Sequence, residues 1–168
     1  DVCSSDLERA IFAALLTTTN DVESSGLAVG EGLIITQPFY WDLNDASRAW
    51  SARFSERQHG QSPTAFHAGV YSSVLAYLNA AQAVGTNDAQ AVIRKLKENP
   101  IDDALFGPVV VRADGRAIHN MYIFKAKSPN ASKSKWDLLE QVGVLAGPEA
   151  FRPLDQGGCS LVEPPKSN

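Results

Sequence analysis

Leu33-Ile34-Ile35-Thr36-Gln37-Pro38-Phe39-Tyr40-Trp41-Asp42-Leu43-Asn44-Asp45 is the stretch on which the fold turns. Leu33 to Thr36 is a short, nearly continuous apolar run, the pattern of a strand buried in a parallel sheet. Pro38 ends it. Phe39-Tyr40-Trp41 follows at once and is the densest aromatic run in the chain. In open α/β sheets, loops just beyond the strand ends carry ligand contacts. Asp45 is the expected cap of a helix in which Ala46, Trp50 and Phe54 recur at i, i+4. Arg48 and Glu56 point away from that face as solvated charges, and Arg53 falls at its edge with its head in water. His59-Gly60 closes the helix, because glycine takes the left-handed conformation without strain.

Downstream, Ser62-Pro63 is expected to open a longer helix, with Ser62 as cap and Pro63 in the first turn. Phe66, Val70, Val74, Leu78 and Ala81 form its apolar stripe. Ala68, Gly69, Ser72, Ser73, Ala76 and Ala80 are small enough for close packing on a neighbour. Gly85 stops it. Asn87 or Asp88 caps a shorter helix with Val92, Ile93 and Leu96 inward, and Asn99-Pro100 ends that one. Gly107 to Arg112 reads as a strand, Ala113-Asp114-Gly115 as a turn, and Ala117 to Lys125 as the returning strand. Trp136 to Val142 reads as a short helix, and the chain from Gly147 as loop. Upstream, Leu7 to Leu16 reads as the end of a helix or a buried segment, with Ile11, Leu15 and Leu16 at helical spacing. Thr17 to Asp21 breaks it through local side-chain hydrogen bonds. The class is α/β, without the repeated strand–helix–strand units of a complete doubly wound sheet, so the piece reads as incomplete.

Composition narrows the function. The 168 residues carry 19 acidic and 15 basic side chains, a formal charge of −4. No Lys/Arg cluster stands out, so a nucleic-acid partner is not expected. The longest apolar runs are far too short to cross a bilayer. The three histidines, His59, His67 and His119, lack metal-ligand spacing, and no G-x-S-x-G elbow is present. No enzyme activity, metal or cofactor is therefore expected. Asp1-Val2-Cys3-Ser4-Ser5-Asp6-Leu7 is what the sequencing-adapter string GACGTGTGCTCTTCCGATCT yields in its first frame. Residues 1–7 are expected to be an artefact and are set aside. A Cys3–Cys159 disulfide is accordingly not expected. Cys159 is either a small buried hydrophobe or paired to upstream sequence.

Taken in order, GLAVGEGLIITQPFYWDLNDASRAWSARF, PTAFHAGVYSSVLAYLNAAQAVGTND and GPVVVRADGRAIHNMYIFKAKSP resemble the C-terminal portion of type I periplasmic binding proteins. The branched-chain amino-acid receptors of ABC transporters, with relatives that take aromatic acids or amides, are the most similar group. The resemblance runs from about Phe12 to Val162. It implies pieces of two Rossmann-like lobes joined by hinge crossings, with ligand trapped between them. Residues 8–38 and 120–168 would belong to the second lobe and 39–119 to the first.

The resemblance also implies an extracytoplasmic solute-binding component of an importer, with a small organic solute and a membrane ABC permease as partners. A signal peptide is expected in upstream sequence, giving a periplasmic location. A ligand-sensing domain of a receptor or regulator is the alternative. Phe66 falls where these receptors place an aromatic ligand contact, or else it only begins the core stripe. Phe39, Tyr40 and Trp41 wall the cleft, or pack between lobes. His67 is a neighbouring hydrogen-bonding group or a surface residue. Thr17 and Thr18 align with a second-lobe ligand loop, or cap a helix. Tyr71 completes the set, with core packing as its other reading.

Overall fold

A computed structural model describes residues 11–160 and 162. Two sheets share the chain. One contains β1 (Ala13–Ala14), β2 (Ile34–Gln37), β6 (Met121–Ala126) and β7 (Leu139–Leu145), in the order β1-β2-β6-β7. The other holds β3 (Ile101–Asp103), β4 (Gly107–Val111) and β5 (Ala117–Ile118) in sequence order. The helices are α1 (Thr19–Ser25), α2 (Leu27–Gly30), α3 (Asp45–Arg57), α4 (Ala65–Val84), α5 (Ala89–Glu98) and α6 (Gly147–Ala150).

The strand expected at Leu33–Thr36 forms as β2, parallel to β1 and antiparallel to β6, with Ile35 opposite Phe124. Its buried residues join one core of Val22, Ile35, Tyr40, Phe124, Ala126 and Leu139. A second core gathers Phe39, Trp50, Ala68, Leu105, Phe106 and Val109 around the other sheet. The Phe39 ring meets Trp50 edge-on at 5.5 Å. Asp103 shapes the turn between β3 and β4: its Oδ1 accepts from the Leu105 and Phe106 amides at 2.8 and 2.9 Å. Oδ2 accepts a hydrogen bond from the Ser72 hydroxyl, tying that turn to α4.

Several expectations are corrected. The helix expected at Leu7–Leu16 is absent over its described part. The Ile34 amide donates to the Phe12 carbonyl at 2.8 Å and Ala13–Ala14 pairs with β2, so sheet pairing takes the backbone a helix would need. Leu15 and Leu16 are exposed, not buried. Leu7 to Ala10 lie outside the described residues, as do residues 1–7 and Cys3. Asn44, not Asp45, caps α3: its Oδ1 accepts from the Ser47 amide at 2.9 Å, and Ser47 Oγ accepts from the Asn44 amide. Thr64, not Ser62, precedes α4.

The face of α4 is inverted. Ala68 and Ala80 are buried, whereas Phe66, Val70, Val74 and Leu78 are more than half exposed. Trp50 and Phe106 already fill this core, so the helix approaches on its small residues. The returning strand splits: Ala117–Ile118 pairs with β4, and from Met121 the chain enters the other sheet. Trp136–Val142 is no helix, since Leu139 onward pairs with β6 along its length.

Candidate functional site

The crossing begins where β2 ends. Successive side chains of an extended backbone point to opposite sides. Phe39 therefore enters the second core and Tyr40 the first, each nearly inaccessible to solvent. Phe39 cannot wall a cleft from that position, and its ring is a packing residue. The Tyr40 hydroxyl is consumed by the backbone of the chain entering β7. It donates to the Trp136 carbonyl at 2.8 Å and accepts from the Leu138 and Leu139 amides at 3.0 and 3.3 Å. Burial pushes its pKa above the usual phenol value, opposed by those two amide donors.

Trp41 is half-buried. Its Nε1–H donates to the same Trp136 carbonyl at 2.7 Å. The Trp136 indole in turn donates to Gly60 O at 2.9 Å, binding the segment ahead of β7 to the loop after α3. The chain passes back between sheets at His119–Asn120. A third passage follows β7: the Gly147 amide donates to Asn120 Oδ1 at 3.2 Å, and a Cβ at Gly147 would lie 2.8 Å from an Ile118 methyl.

The remaining expected residues fall at two places. Phe66 stands exposed in the first turn of α4. His67 beside it accepts a hydrogen bond from the Thr64 amide on Nδ1 at 3.1 Å and packs at a tilt against Phe54, ring centroids 4.9 Å apart. Its Nδ1 thus serves the helix cap. Thr18 precedes α1, where Asp21 Oδ2 accepts from both its amide and its hydroxyl at 2.7 Å. Those two bonds hold the Asp21 carboxyl below the ordinary carboxylate range. Thr17 is half-buried next to it. Tyr71 packs on Trp50 at 5.4 Å and shares a shallow groove with Phe54, Arg53 and Arg57. Trp41, Tyr40 and Tyr71 line three different cavities.

Sequence reading missed Gln37. It sits at the carboxyl end of β2 and is 4% exposed, yet neither amide atom of its side chain has a partner among the described residues. An unpaired buried amide costs about 1–3 kcal/mol, so native structures retain one where something else satisfies it. A polar residue at the last inward position of an apolar strand was the available signal. Among the described residues no group of three or more His, Cys, Asp or Glu could hold a metal, and no helix is long and apolar enough to cross a membrane.

Comparison with known proteins gives the architecture its context. A family model described as "Periplasmic binding protein" matches residues 4–134. A periplasmic binding protein from Burkholderia mallei is 38% identical with a TM-score of 0.86, covering 90% of this chain and 40% of its own. A branched-chain amino acid ABC transporter periplasmic ligand-binding protein from Burkholderia xenovorans LB400 is 36% identical, TM-score 0.84, covering 89% of this chain and 40% of its own. At 18% identity and TM-score 0.62, a solute-binding protein of an ABC transporter from Rhodopseudomonas palustris BisB5, solved with 3,4-dihydroxy benzoic acid, shares the fold over 76% of this chain and 34% of its own. The chain thus spans about two fifths of the length of the two Burkholderia relatives, at 40% of each. No curated protein matches it. The mixed α/β architecture is part of the type I fold of these neighbours.

Proposed function

We propose, since this chain belongs to the periplasmic binding protein family, that it is the trailing part of an importer's solute-binding component. One observation carries the reading. Neighbouring residues Phe39 and Tyr40 are buried in two separate cores, which is how a chain looks where it crosses from one lobe to another.

In this reading residues 39–119 belong to the first lobe, and residues up to 38 with those from 120 belong to the second. Ligand is held between them. The first lobe offers the exposed Phe66 ring and the free edge of His67. The second offers Thr17 and Thr18, and Trp41 stands at the crossing. Gln37, at the end of β2, adds a buried side-chain amide with no partner among the described residues. Beyond Phe66, the α4 stripe of Val70, Val74 and Leu78, exposed within this chain, is covered by the rest of the first lobe. Ligand bound to both lobes selects the closed form. That form is what a membrane ABC permease recognises on the periplasmic side.

The solute is a small organic molecule: an amino acid, an amide or an aromatic acid. The amino-acid and aromatic-acid classes are supported by the relatives, one a branched-chain amino acid transporter's ligand-binding protein and another solved with 3,4-dihydroxy benzoic acid. Calorimetry of the whole gene product against a panel of these three classes tests it. Saturable binding of one class, lost in Phe66→Ala, is the expected result. A folded protein that binds none of them refutes the reading.

A further inference from the structure

Polar contacts between the two cores are sparse. Outside the crossings at 39–41 and 119–120 and the chain from Gly147, one hydrogen bond among the described residues joins the side of the four-stranded sheet to the other side: the Trp136 indole N–H donates to Gly60 O at 2.9 Å. No ion pair among the described residues does so. The other distant polar contacts stay on one side, Ser72 with Asp103 and Lys97 with the Ala113 carbonyl on one, Lys127 with Asp137 on the other.

The donor is fixed on its own side. The Trp136 ring packs against the first core, and its carbonyl accepts from the Tyr40 hydroxyl and the Trp41 indole. Lys135 Nζ sits 4.8 Å from the centre of the Trp136 ring and pairs with Glu23 of α1 at 3.4 Å. Backbone, ring and neighbouring charge therefore belong to the four-stranded side, and the indole N–H is the part that reaches across.

The acceptor is fixed on the other. α3 ends at Arg57, and His59 and Gly60 follow with φ of 52° and 80°. Two successive left-handed residues are uncommon, the more so when one carries a side chain. Such backbone persists where its surroundings over-determine it. Here the Gly60 amide donates to the Ser55 carbonyl at 2.9 Å and the Gln61 amide to the Gln58 carbonyl at 3.0 Å. These bonds close the turn and leave the Gly60 carbonyl for Trp136.

We propose that Trp136 is a positioning residue for solute binding: its indole N–H and the Gly60 carbonyl form a clasp that sets the angle between the two lobes. The inference rests on the two-lobe reading above. One hydrogen bond suits a hinge, because it biases the equilibrium and still releases. A net bond of this kind shifts a two-state ratio by about fivefold. The same residue fixes the Trp41 indole through its carbonyl, so the clasp and the aromatic at the crossing move together. Solute affinity then scales with the population of the clasped arrangement.

The test compares the whole gene product with its Trp136→Phe and Gly60→Val variants, all without solute. Trp136→Phe keeps an aromatic ring and the carbonyl that Tyr40 and Trp41 use, and removes the donor. A Cβ at Gly60 would meet nothing within 4 Å, but a β-branched residue does not hold a φ of 80°, so Gly60→Val displaces the acceptor and leaves the indole in place. Small-angle X-ray scattering should give both variants a larger radius of gyration than the parent. Hydrogen exchange of ¹⁵N-labelled indoles, assigned by single Trp→Phe variants, is read in parallel. The Trp136 indole proton should exchange about fivefold faster in Gly60→Val than in the parent, while that of Trp41, bonded to Trp136 O, keeps its rate. Unchanged scattering in both variants would overturn the clasp, as would a parent Trp136 proton that exchanges as fast as in free tryptophan. A lower melting temperature with unchanged scattering makes Trp136 a packing residue and overturns the clasp too. A solute panel without a ligand counts against the proposed function and leaves this comparison standing, whereas unchanged scattering counts against the clasp alone.

Discussion

Replacing Tyr40 with phenylalanine isolates the hydroxyl that ties the crossing to the start of β7. The ring remains in the first core, 5.3 Å from Phe124, so the hydrophobic contribution is nearly unchanged. What disappears is a three-way junction: donation to the Trp136 carbonyl at 2.8 Å, and acceptance from the Leu138 and Leu139 amides. The Trp136 carbonyl keeps its bond from the Trp41 indole, so its loss is small. The Leu138 amide is left buried with no acceptor, at 3.0 Å the better of the two bonds made to the oxygen. Stranding one buried donor and weakening a second costs about 2–3 kcal/mol. For a domain of this size that lowers the melting temperature by roughly 6–9 °C. Urea titration followed by far-ultraviolet circular dichroism should show the midpoint falling at constant slope. Paired with Trp41→Phe, the losses should exceed the sum of the singles, because both donors serve one carbonyl. A Tyr40→Phe protein within about 0.5 kcal/mol of the parent would refute the reasoning, since that is the scatter of surface substitutions.

Gly147→Ala should destabilise by about 1–3 kcal/mol, measured by thermal melting, because its new Cβ would meet an Ile118 methyl at 2.8 Å and the His119 carbonyl oxygen at 3.1 Å. Asp137 accepts from Lys127 and the Lys133 amide; although burial alone would raise its pKa, these partners hold it below the ordinary carboxylate value. Its folded form therefore binds fewer protons than the unfolded chain just below pH 4, so stability is present above that range and lost as pH falls through it. Asp137→Asn should flatten the acid limb of a stability-versus-pH curve. Gln37→Met, which replaces two unpaired buried polar atoms with a side chain of similar shape, should be neutral or stabilising by up to about 1 kcal/mol in a ligand-free melt. The same variant should weaken solute binding in calorimetry if the amide faces ligand. Phe66→Ala should leave the melting temperature within about 2 °C, because the ring is already exposed, while reducing solute affinity.

Local pattern was legible where one element settles its own environment. The apolar run before Pro38 was enough to place β2, although the structure buries it on one face only, with Ile35 and Gln37 inward and Thr36 exposed, and pairs it antiparallel to β6. Gly85, with φ of 67°, caps α4 in the left-handed conformation as expected, whereas α3 is capped by Gln58 and the first left-handed residue after it is His59, with φ of 52°, ahead of Gly60. The order of motifs was enough to suggest the family that the comparisons then showed.

Tertiary structure decided everything that depended on which partner lies across a face. Helical spacing on α4 identified an apolar stripe but not which side of the helix meets this core. The crowded rings of Trp50 and Phe106 favoured the alanine side. Leu7 to Leu16 satisfied helical spacing, yet a single neighbour strand captured the backbone of Ala13–Ala14. Three adjacent aromatics looked like one wall. The alternation of an extended backbone sent Phe39 and Tyr40 into different cores and left Trp41 only half-buried. Periodicity is a property of one segment. Burial is a property of two surfaces meeting, and that information is spread over residues as far apart as Tyr40 and Trp136.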